Sequence, residues 1–205
     1  MPRPDLSSQR RLEFAPILAK TFAELGYRRT TTSALAEACG VQETILYRLW
    51  SDKQTMFLAA LDHVYDLSER TWATLLSDTE DKYSQAQRIL RYEADHHGEF
   101  GFYRILFAGL SETDDAEIRK GLRRLYRKFL SFIEGKVASH RGDREGANEI
   151  HAELLAWAIL GLGTVSSIGR ELGLLSLAKR RSLFLDVGGK FLLDGAGTDP
   201  ASPSK

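Results

Sequence analysis

Cysteine is almost absent from this sequence of 205 residues, because Cys39 is the only one. A single cysteine cannot close a disulfide within the chain, so we expect a protein of the reducing cytoplasm rather than a disulfide-linked secreted scaffold. Excess charge of one sign is absent as well, since 28 basic side chains balance 28 acidic ones. This balance argues against a protein that coats nucleic acid through bulk charge, although it permits a locally basic surface.

Long apolar runs and interior prolines are also scarce. The longest uncharged run, Leu154 to Gly169, has sixteen residues, and it is shorter than the roughly 20 residues that a membrane-spanning helix needs. The first five residues contain no apolar stretch, so we expect no signal peptide and no membrane partner. The five prolines occupy positions 2, 4, 16, 200 and 203, and therefore none interrupts residues 17–199.

The apolar residues of this span recur at three- and four-residue spacing, which predicts an all-α protein. Ser7 or Ser8 can cap a first helix that ends near Leu25, and Pro16 inside it predicts a kink or a late start. Asp52 can cap the long fourth helix. The tail of residues 195–205 is small and polar, and we expect it to be disordered. The other predicted helices are 32–39, 42–48, 52–76, 81–97, 101–110, 114–139, 146–171 and 176–193.

Residues 26–53 carry the clearest functional pattern. Thr31 or Thr32 can cap a short helix, Gly40 can reverse the chain in the left-handed conformation, and a second short helix follows. Leu35 and Leu46 are spaced to hold these two helices on the core. Two short helices that cross over a glycine turn form a helix-turn-helix, whose second helix, here the reading helix, enters the major groove of DNA. The pattern alone leaves a plain helical corner in an unrelated protein as the alternative.

Within and beside this segment the sequence resembles the DNA-binding signature of the TetR family of bacterial transcriptional repressors. The matching residues are Phe22 to Tyr27, Thr30-Thr31, Leu35-Ala36, Ala38, Gly40-Val41, Leu46-Tyr47 and Lys53. The resemblance implies a three-helix DNA-binding domain over residues 1–52, a helical ligand-binding and dimerisation domain over 53–194, and the tail of 195–205. It also implies a homodimer on a palindromic operator, and it identifies no ligand.

Four positions depart from the family pattern. Leu49 and Trp50 stand where histidine and phenylalanine are common, and Thr44 replaces a frequent glycine; we interpret these changes as local repacking. Glu43 places a carboxylate on the reading helix, where phosphates make it unfavourable unless it finds a hydrogen-bond donor. A cytosine N4 amino group is one such donor. The alternative is a Glu43 that faces solvent or pairs within the chain.

The resemblance and the helix geometry together give the DNA-binding candidates. Gln42 can pair with adenine, Ile45 can pack on a thymine methyl, and Arg48 can reach guanine or a phosphate. Tyr47 can instead be a core aromatic with a surface hydroxyl. Arg28 and Arg29 can add backbone contacts or solvate a loop. The full set of candidates is Thr31, Thr32, Ser33, Gln42, Glu43, Thr44, Ile45, Tyr47, Arg48 and Lys53, of which Thr31, Ser33, Tyr47 and Lys53 suit phosphates.

The segment Ile150 to Leu175 is apolar nearly all round, which a single surface helix does not tolerate. Together with the last helix it is our candidate for a four-helix contact across a two-fold axis. The alternative is a central core helix of a monomer. The interface candidates are Ala156, Ile159, Leu160, Gly163, Phe184, Val187 and Phe191.

Aromatic residues gather in the middle of the chain, which suits a pocket for a small apolar or aromatic effector. Core packing is the alternative for each of them. The ligand-binding candidates are Trp72, Tyr92, Tyr103, Phe107 and Trp157. By resemblance, the effector shifts the helix near residues 100–110, which pushes on the long fourth helix and separates the two reading helices.

Other signals predict no enzyme, metal site or cofactor. His96 and His97 are adjacent and therefore point about 100° apart on a helix, so they seldom share one ion. No grouping of a nucleophile with a base stands out. A run of basic residues, 119, 120, 123, 124, 127 and 128, is either a solvated helix face or a second anion-binding surface.

Overall fold

The structure, a computed structural model, describes residues 6–77, 82–98, 103–142 and 150–193, without the side chains of 191 and 192. The predicted disordered tail and the side chain of Phe191 lie outside these residues. The described residues contain helices and connecting turns and no strand, which confirms the predicted all-α class. The helices are α1 (Leu6–Leu25), α2 (Thr32–Ala38), α3 (Glu43–Leu49), α4 (Lys53–Leu75), α5 (Gln85–His96), α6 (Tyr103–Leu110), α7 (Ala116–Arg141), α8 (Ala152–Glu171) and α9 (Leu177–Ser182), which continues as a π-helix (Leu183–Leu193).

Local side-chain chemistry explains where the helices begin. α1 begins at Leu6 and passes through Pro16 as one helix, so the predicted late start is wrong. The predicted start of α5 at residue 81 is early, because the Ser84 hydroxyl and the Gln87 side chain form a reciprocal capping box there. Asp52 accepts a 2.7 Å hydrogen bond from the backbone N–H of Thr55, which confirms its predicted role as the cap of α4.

The chain divides into two compact units, of which the first comprises residues 1–71 and 100–128. In this unit α1 packs against α2, α3 and α6. Phe22, Tyr27 and Phe57 form its aromatic centre, with the Phe57 ring edge-on to both of the others at 5.0 Å between centroids. The helix-turn-helix segment therefore stands on a rigid aromatic core that continues into α4.

The second unit comprises residues 72–99 and 129–205. Here α5 and α8 both pack against the π-helix. Its buried core cluster is formed by Ala86, Leu90, Ala94, Val137, Leu155, Phe184 and Leu193. The His140 ring lies 2.7 Å from the Ser84 hydroxyl, and this contact joins the end of α7 to the start of α5.

These compact units do not follow the predicted division at residue 52. The first unit extends through α4 to Thr71 and takes in α6 and the first half of α7. α4 and α7 each contribute residues to both units, so a boundary read along the sequence cannot describe them. The predicted domains at 1–52 and 53–194 stay a proposal about roles rather than about packing.

Candidate nucleic-acid interface

Residues 31–49 form two short helices joined by a tight glycine turn. The Thr31 hydroxyl caps α2 by accepting from the backbone N–H of Ala34 at 3.1 Å. Gly40 has φ +67°, a left-handed conformation that costs glycine little. Its successor Val41 donates its backbone N–H to the Ala36 carbonyl at 3.0 Å, which closes the turn. Leu35 and Leu46 are fully buried and hold both helices on the core, as predicted.

The outward face of α3 is polar. Gln42 at its N-cap, Thr44 and Arg48 are exposed, and Ile45 is half-buried beside them. At the start of α2, Thr31 and Ser33 are exposed as well. The reading helix therefore presents hydrogen-bonding side chains and one apolar side chain, which is the mixture that base edges in a major groove can bind.

Glu43 does not simply face solvent. The Thr32 hydroxyl donates to Glu43 Oε2 at 2.8 Å, and the Tyr47 hydroxyl donates to Thr32 Oγ1 at 3.2 Å. A threonine hydroxyl has one proton, so the chain of bonds runs in one direction, from Tyr47 through Thr32 to Glu43. This arrangement confirms the pairing within the chain that the sequence left open, and it leaves the Tyr47 ring about half exposed.

Lys53 has two intramolecular acceptors. Its Nζ donates to the carbonyls of Tyr27 and Thr30, both at 3.1 Å, and lies 4.4 Å from the centroid of the Tyr27 ring. The ammonium therefore fastens the first residue of α4 to the turn before α2. It retains one further donor for a phosphate, because an ammonium group has three.

Two arginines make long-range contacts that the sequence did not reveal. Arg11 on α1 donates Nε and Nη2 to the carbonyl of Leu49 at 2.9 and 2.7 Å, and so it satisfies the C-terminal end of α3. Arg28 pairs with Glu112 at 2.8 Å, and this carboxylate is only 13% exposed. The partners are 38 and 84 residues apart in the sequence, which is why no local pattern predicts them.

The last residue of the reading helix and the C-cap that follows it are buried. Leu49 and Trp50 keep 7% and 8% of their surface exposed. Cys39 lies beside the turn, where burial raises the pKa of its thiol to about 11. The thiol is therefore neutral at ordinary pH and serves as a packing group.

The five aromatic candidates for ligand binding are not gathered in one unit. Tyr103 and Phe107 lie on α6 in the first unit, with ring centroids 6.1 Å apart. Trp72, Tyr92 and Trp157 lie in the second unit. Trp72 is buried, stacks on Phe132 at 4.5 Å, and donates its indole N–H to Glu93 at 3.1 Å. Tyr92 stacks on His96 at 4.3 Å.

A half-buried polar cluster in the second unit joins the end of α5 to α8. His97 Nδ1 lies 2.8 Å from Glu93 Oε2, and His97 Nε2 lies 2.9 Å from the Gly163 carbonyl and 3.2 Å from Ser167 Oγ. The serine, histidine and carboxylate resemble a nucleophile with its base, but a carbonyl only accepts, so Nε2 must donate to Gly163. The histidine therefore presents no base to Ser167. No sequence signal links His97 to Gly163 and Ser167, which lie 66 and 70 positions away.

Five of the seven interface candidates are buried or half-buried within the single chain. Ala156 and Phe184 are buried in the core of the second unit, and Gly163 faces the His97 ring. These three positions pack within their own chain. Ile159 packs against the same core, and Leu160 is half-buried. Val187 is exposed, and the side chain of Phe191 lies outside the described part of the chain.

The opposite face of α8 is apolar and exposed. Its large apolar side chains keep 42 to 66% of their surface in solvent and, with Gly161 between the second and third, follow three- and four-residue spacing: Leu154, Trp157, Val165, Ile168 and Leu172. Gly161 lies on this face, where an added Cβ would meet no atom within 4 Å. Among the described helices α8 alone is long and apolar enough to cross a membrane, and 33% of its most apolar window is buried. The sequence had marked the helix without indicating which face is free.

The sequence model of the family described as bacterial regulatory proteins, tetR family, matches residues 18–60. This stretch contains α2, α3, the glycine turn and the start of α4. A search of the curated proteins finds no match by sequence.

Solved structures share the fold over most of this chain. A putative TetR-family transcriptional regulator from Rhodococcus sp. is 20% identical with a TM-score of 0.76, and the match covers 90% of this chain and 99% of that one. A putative transcriptional regulator from Saccharomonospora viridis, in complex with choline, is 17% identical with a TM-score of 0.72, covering 88% and 95%. A TetR transcriptional regulator from Chloroflexus aurantiacus J-10-FL is 20% identical with a TM-score of 0.70, covering 88% and 93%. Residues 18–60 thus match the model of the tetR family of bacterial regulatory proteins, and over most of its length the chain has the fold of solved TetR-family regulators.

Proposed function

We propose that this protein is a cytoplasmic transcriptional repressor that binds a palindromic duplex-DNA operator as a homodimer and leaves it when a small apolar or aromatic effector binds. The observation that carries the proposal is the exposed polar face of α3 on a buried, capped helix-turn-helix within the matched segment. A helix fixed in this way can insert into a major groove without rearranging.

The proposed contacts divide by chemistry. Gln42, Ile45 and Arg48 read base edges, and Glu43 and Thr44 contribute to the same surface. Thr31, Thr32, Ser33, Tyr47 and Lys53 position the protein on the backbone, because hydroxyl and ammonium groups suit phosphate oxygens. Thr32, Tyr47 and Lys53 also hold the motif together, so replacing them tests two roles at once. Gln42 and Arg48 are the cleaner probes.

Selection of bound duplexes from a random pool, followed by anisotropy titration, tests DNA binding. Arg48→Ala is expected to weaken binding to the selected operator by about 1–3 kcal/mol and to relax preference at one base pair. The matched control is Lys179→Ala, which removes one exposed positive charge from the second unit. No selected sequence, or equal binding by both variants, would refute the proposal. A reporter gene behind the selected operator distinguishes repression from activation.

The exposed apolar face of α8 supports the homodimer. Such a face costs free energy in water, and monomers rarely leave an apolar strip of this kind uncovered. A second copy of α8 covers it symmetrically, and Gly161 allows close approach of the two helices. The buried contacts on the other side of the helix, from Gly163 and Ser167 to His97, hold it within its own protein chain rather than in lipid.

Sedimentation velocity on Val165→Glu/Ile168→Glu tests the dimer. We expect the parent to sediment as a dimer and the variant as a monomer, because paired carboxylates cannot be buried without partners. Leu110→Glu, at an exposed leucine of the first unit, is the matched control and should leave the dimer intact. Association of the parent with lipid vesicles in place of self-association would instead favour a membrane role for α8.

The aromatic candidates for an effector site form two sets, Tyr103 and Phe107 in the first unit and Trp72, Tyr92 and Trp157 in the second. The effector has to bind the DNA-incompetent state more tightly than the DNA-bound state, or it releases nothing. Titration of aromatic and hydrophobic metabolites against the operator complex, with tryptophan fluorescence as a second readout, tests this role. A flat response across a broad panel would contradict it.

A further inference from the structure

The solvent side of α7 carries a row of arginines. Arg119, Arg123 and Arg127, here called the arginine ridge, are four residues apart and therefore lie along one face of the helix. All three are exposed, while Ile118 and Leu125 on the opposite side are fully buried. The packing of the apolar side fixes the orientation of the helix, so the ridge is held outward over about 12 Å.

The neighbouring charges are partly neutralised, and the ridge is not. Arg124 pairs with Asp62 at 3.0 Å, and Lys120 with Glu117 at 3.6 Å. Within the described parts of the chain the three ridge arginines make no ion pair. Residues 118–133 contain six basic side chains and no acidic one. Like charges at four-residue spacing repel each other, so the ridge favours an anionic ligand that spans several of its members.

We propose that the arginine ridge binds backbone phosphates of duplex DNA, as a second anion-binding surface in addition to the reading helix. This inference rests on the proposed function. Guanidinium groups form paired hydrogen bonds to phosphate oxygens, and a regular row of them matches a ligand whose charges repeat. The phosphates come either from the flanks of the operator or from a second duplex.

Two other polyanionic partners fit the ridge less well. A protein interface needs a buried apolar or aromatic centre, and the large apolar side chains along this part of α7 face the core. A membrane-surface helix inserts its apolar face into lipid, but here that face is already buried by the first unit. Duplex DNA requires charge and hydrogen bonds alone.

The test compares the full-length parent with R119Q/R123Q/R127Q on two duplexes, the selected operator alone and the same operator extended by two helical turns on each side. The matched control, K179Q/R181Q/K190Q, removes three positive charges from the second unit. On the extended duplex the ridge variant should bind about tenfold more weakly at low salt, and its salt slope should fall by about 1 for each arginine that reaches a phosphate. The control should match the parent.

Further experiments distinguish the two sources of the phosphates and control for misfolding of the variants. If the operator complex captures a second, non-operator duplex, the phosphates belong to another duplex. If the ridge variant loses affinity only for the extended operator, the phosphates belong to the operator flanks. R119K/R123K/R127K keeps the charge and should keep most of the salt slope, and thermal unfolding checks that each variant folds.

Equal affinities and salt slopes for the parent and the ridge variant, on both duplexes and in the capture assay, would overturn the inference while leaving operator binding intact. Charge-dependent binding of the ridge to phosphatidylserine vesicles without any DNA effect would overturn it in favour of a membrane. Failure of the parent to bind any selected duplex, by contrast, removes the proposed function itself.

Discussion

Glu43 is the residue at which the reading surface departs most from a simple basic one. Its carboxylate accepts from Thr32, which in turn accepts from Tyr47, so one of its oxygens is held in place. The carboxylate can only accept further hydrogen bonds. In a major groove the amino groups of cytosine and adenine are the donors that satisfy it, and phosphates repel it. Its position therefore favours a role in base selection over backbone binding.

Thr32→Val is the prediction that follows. Valine keeps the volume but removes the hydroxyl, so the Glu43 carboxylate loses its fixed orientation. We expect discrimination at one base pair to fall by about 1–3 kcal/mol, with smaller effects at other positions. Anisotropy titrations against the four base-pair variants of the operator measure it. Glu37→Gln, at an exposed carboxylate on α2, is the control and should show the same base-pair preference as the parent. An unchanged preference in Thr32→Val would exclude a role of the oriented Glu43 carboxylate in base selection.

Cys39 gives a second test at this scale, through its pH dependence. Burial raises the pKa of the thiol to about 11, whereas a free cysteine titrates near 8.5. Since the thiolate is the reactive form, alkylation by iodoacetamide should accelerate about tenfold per pH unit from pH 7 to 9.5 without levelling off. A small cysteine peptide serves as the reference and levels off within this range. A plateau for Cys39 near pH 9 would contradict the burial that the structure gives it.

At the scale of elements, the junction of α5 with α8 depends on close approach at Gly163. A Cβ at this position would lie 2.8 Å from His97 Cε1, and the ring is held through both nitrogens by Glu93 and the Gly163 carbonyl. The ring cannot move without breaking one of these contacts. Gly163→Ala should therefore lower the free energy of unfolding by about 1–3 kcal/mol, although alanine is the better helix former.

Gly135→Ala is the matched control for that substitution. Gly135 lies within α7, where an added Cβ meets nothing within 4 Å, so alanine should stabilise the protein by about 0.5–1 kcal/mol. Urea unfolding of both variants at one protein concentration measures the difference, because the stability of a dimer depends on concentration. If the two changes in the free energy of unfolding had signs opposite to these expectations, α5 and α8 would not meet as described.

The sequence allowed the elements to be predicted, and the reason is local. Apolar spacing, the glycine at position 40 and the cap at Asp52 act within a few residues, so they located the helix-turn-helix and the long α4. The contacts of Arg11, Arg28 and His97 join residues 38 to 84 positions apart. Such contacts depend on packing between helices, and no period in the sequence encodes them.

At the scale of the whole molecule, the same limit explains the interface candidates. α8 is apolar on nearly every side, so periodicity could mark it as important but could not separate its core face from its free face. The structure separates them: Ala156 and Gly163 face the core, while Leu154, Val165 and Ile168 face solvent. The aromatic candidates likewise share a composition signal, and they divide between two units once the chain folds.

Two reading helices are expected to bind DNA as one unit. Residues 1–53 carry eight basic and six acidic side chains, so a single motif has little electrostatic attraction for DNA and a half-site should bind weakly. Once one half of the proposed dimer is bound, the other half binds at an effective concentration that the proposed α8 contact sets. We expect a full palindrome to bind 10²–10⁴-fold more tightly than a half-site, on the order given by such avidity.

Spacing supplies the control for this prediction. Inserting about five base pairs between the half-sites turns the second one to the opposite side of the duplex, and affinity should fall to that of a half-site. Inserting about ten restores the side but not the distance, so a rigid dimer should bind this duplex weakly too. Val165→Glu/Ile168→Glu, which removes the dimer contact, should bind half-sites, palindromes and both spaced duplexes with nearly equal affinity. Equal affinity for all four duplexes in the parent would mean that each copy binds DNA alone, and the rigid two-fold dimer would then have to be abandoned.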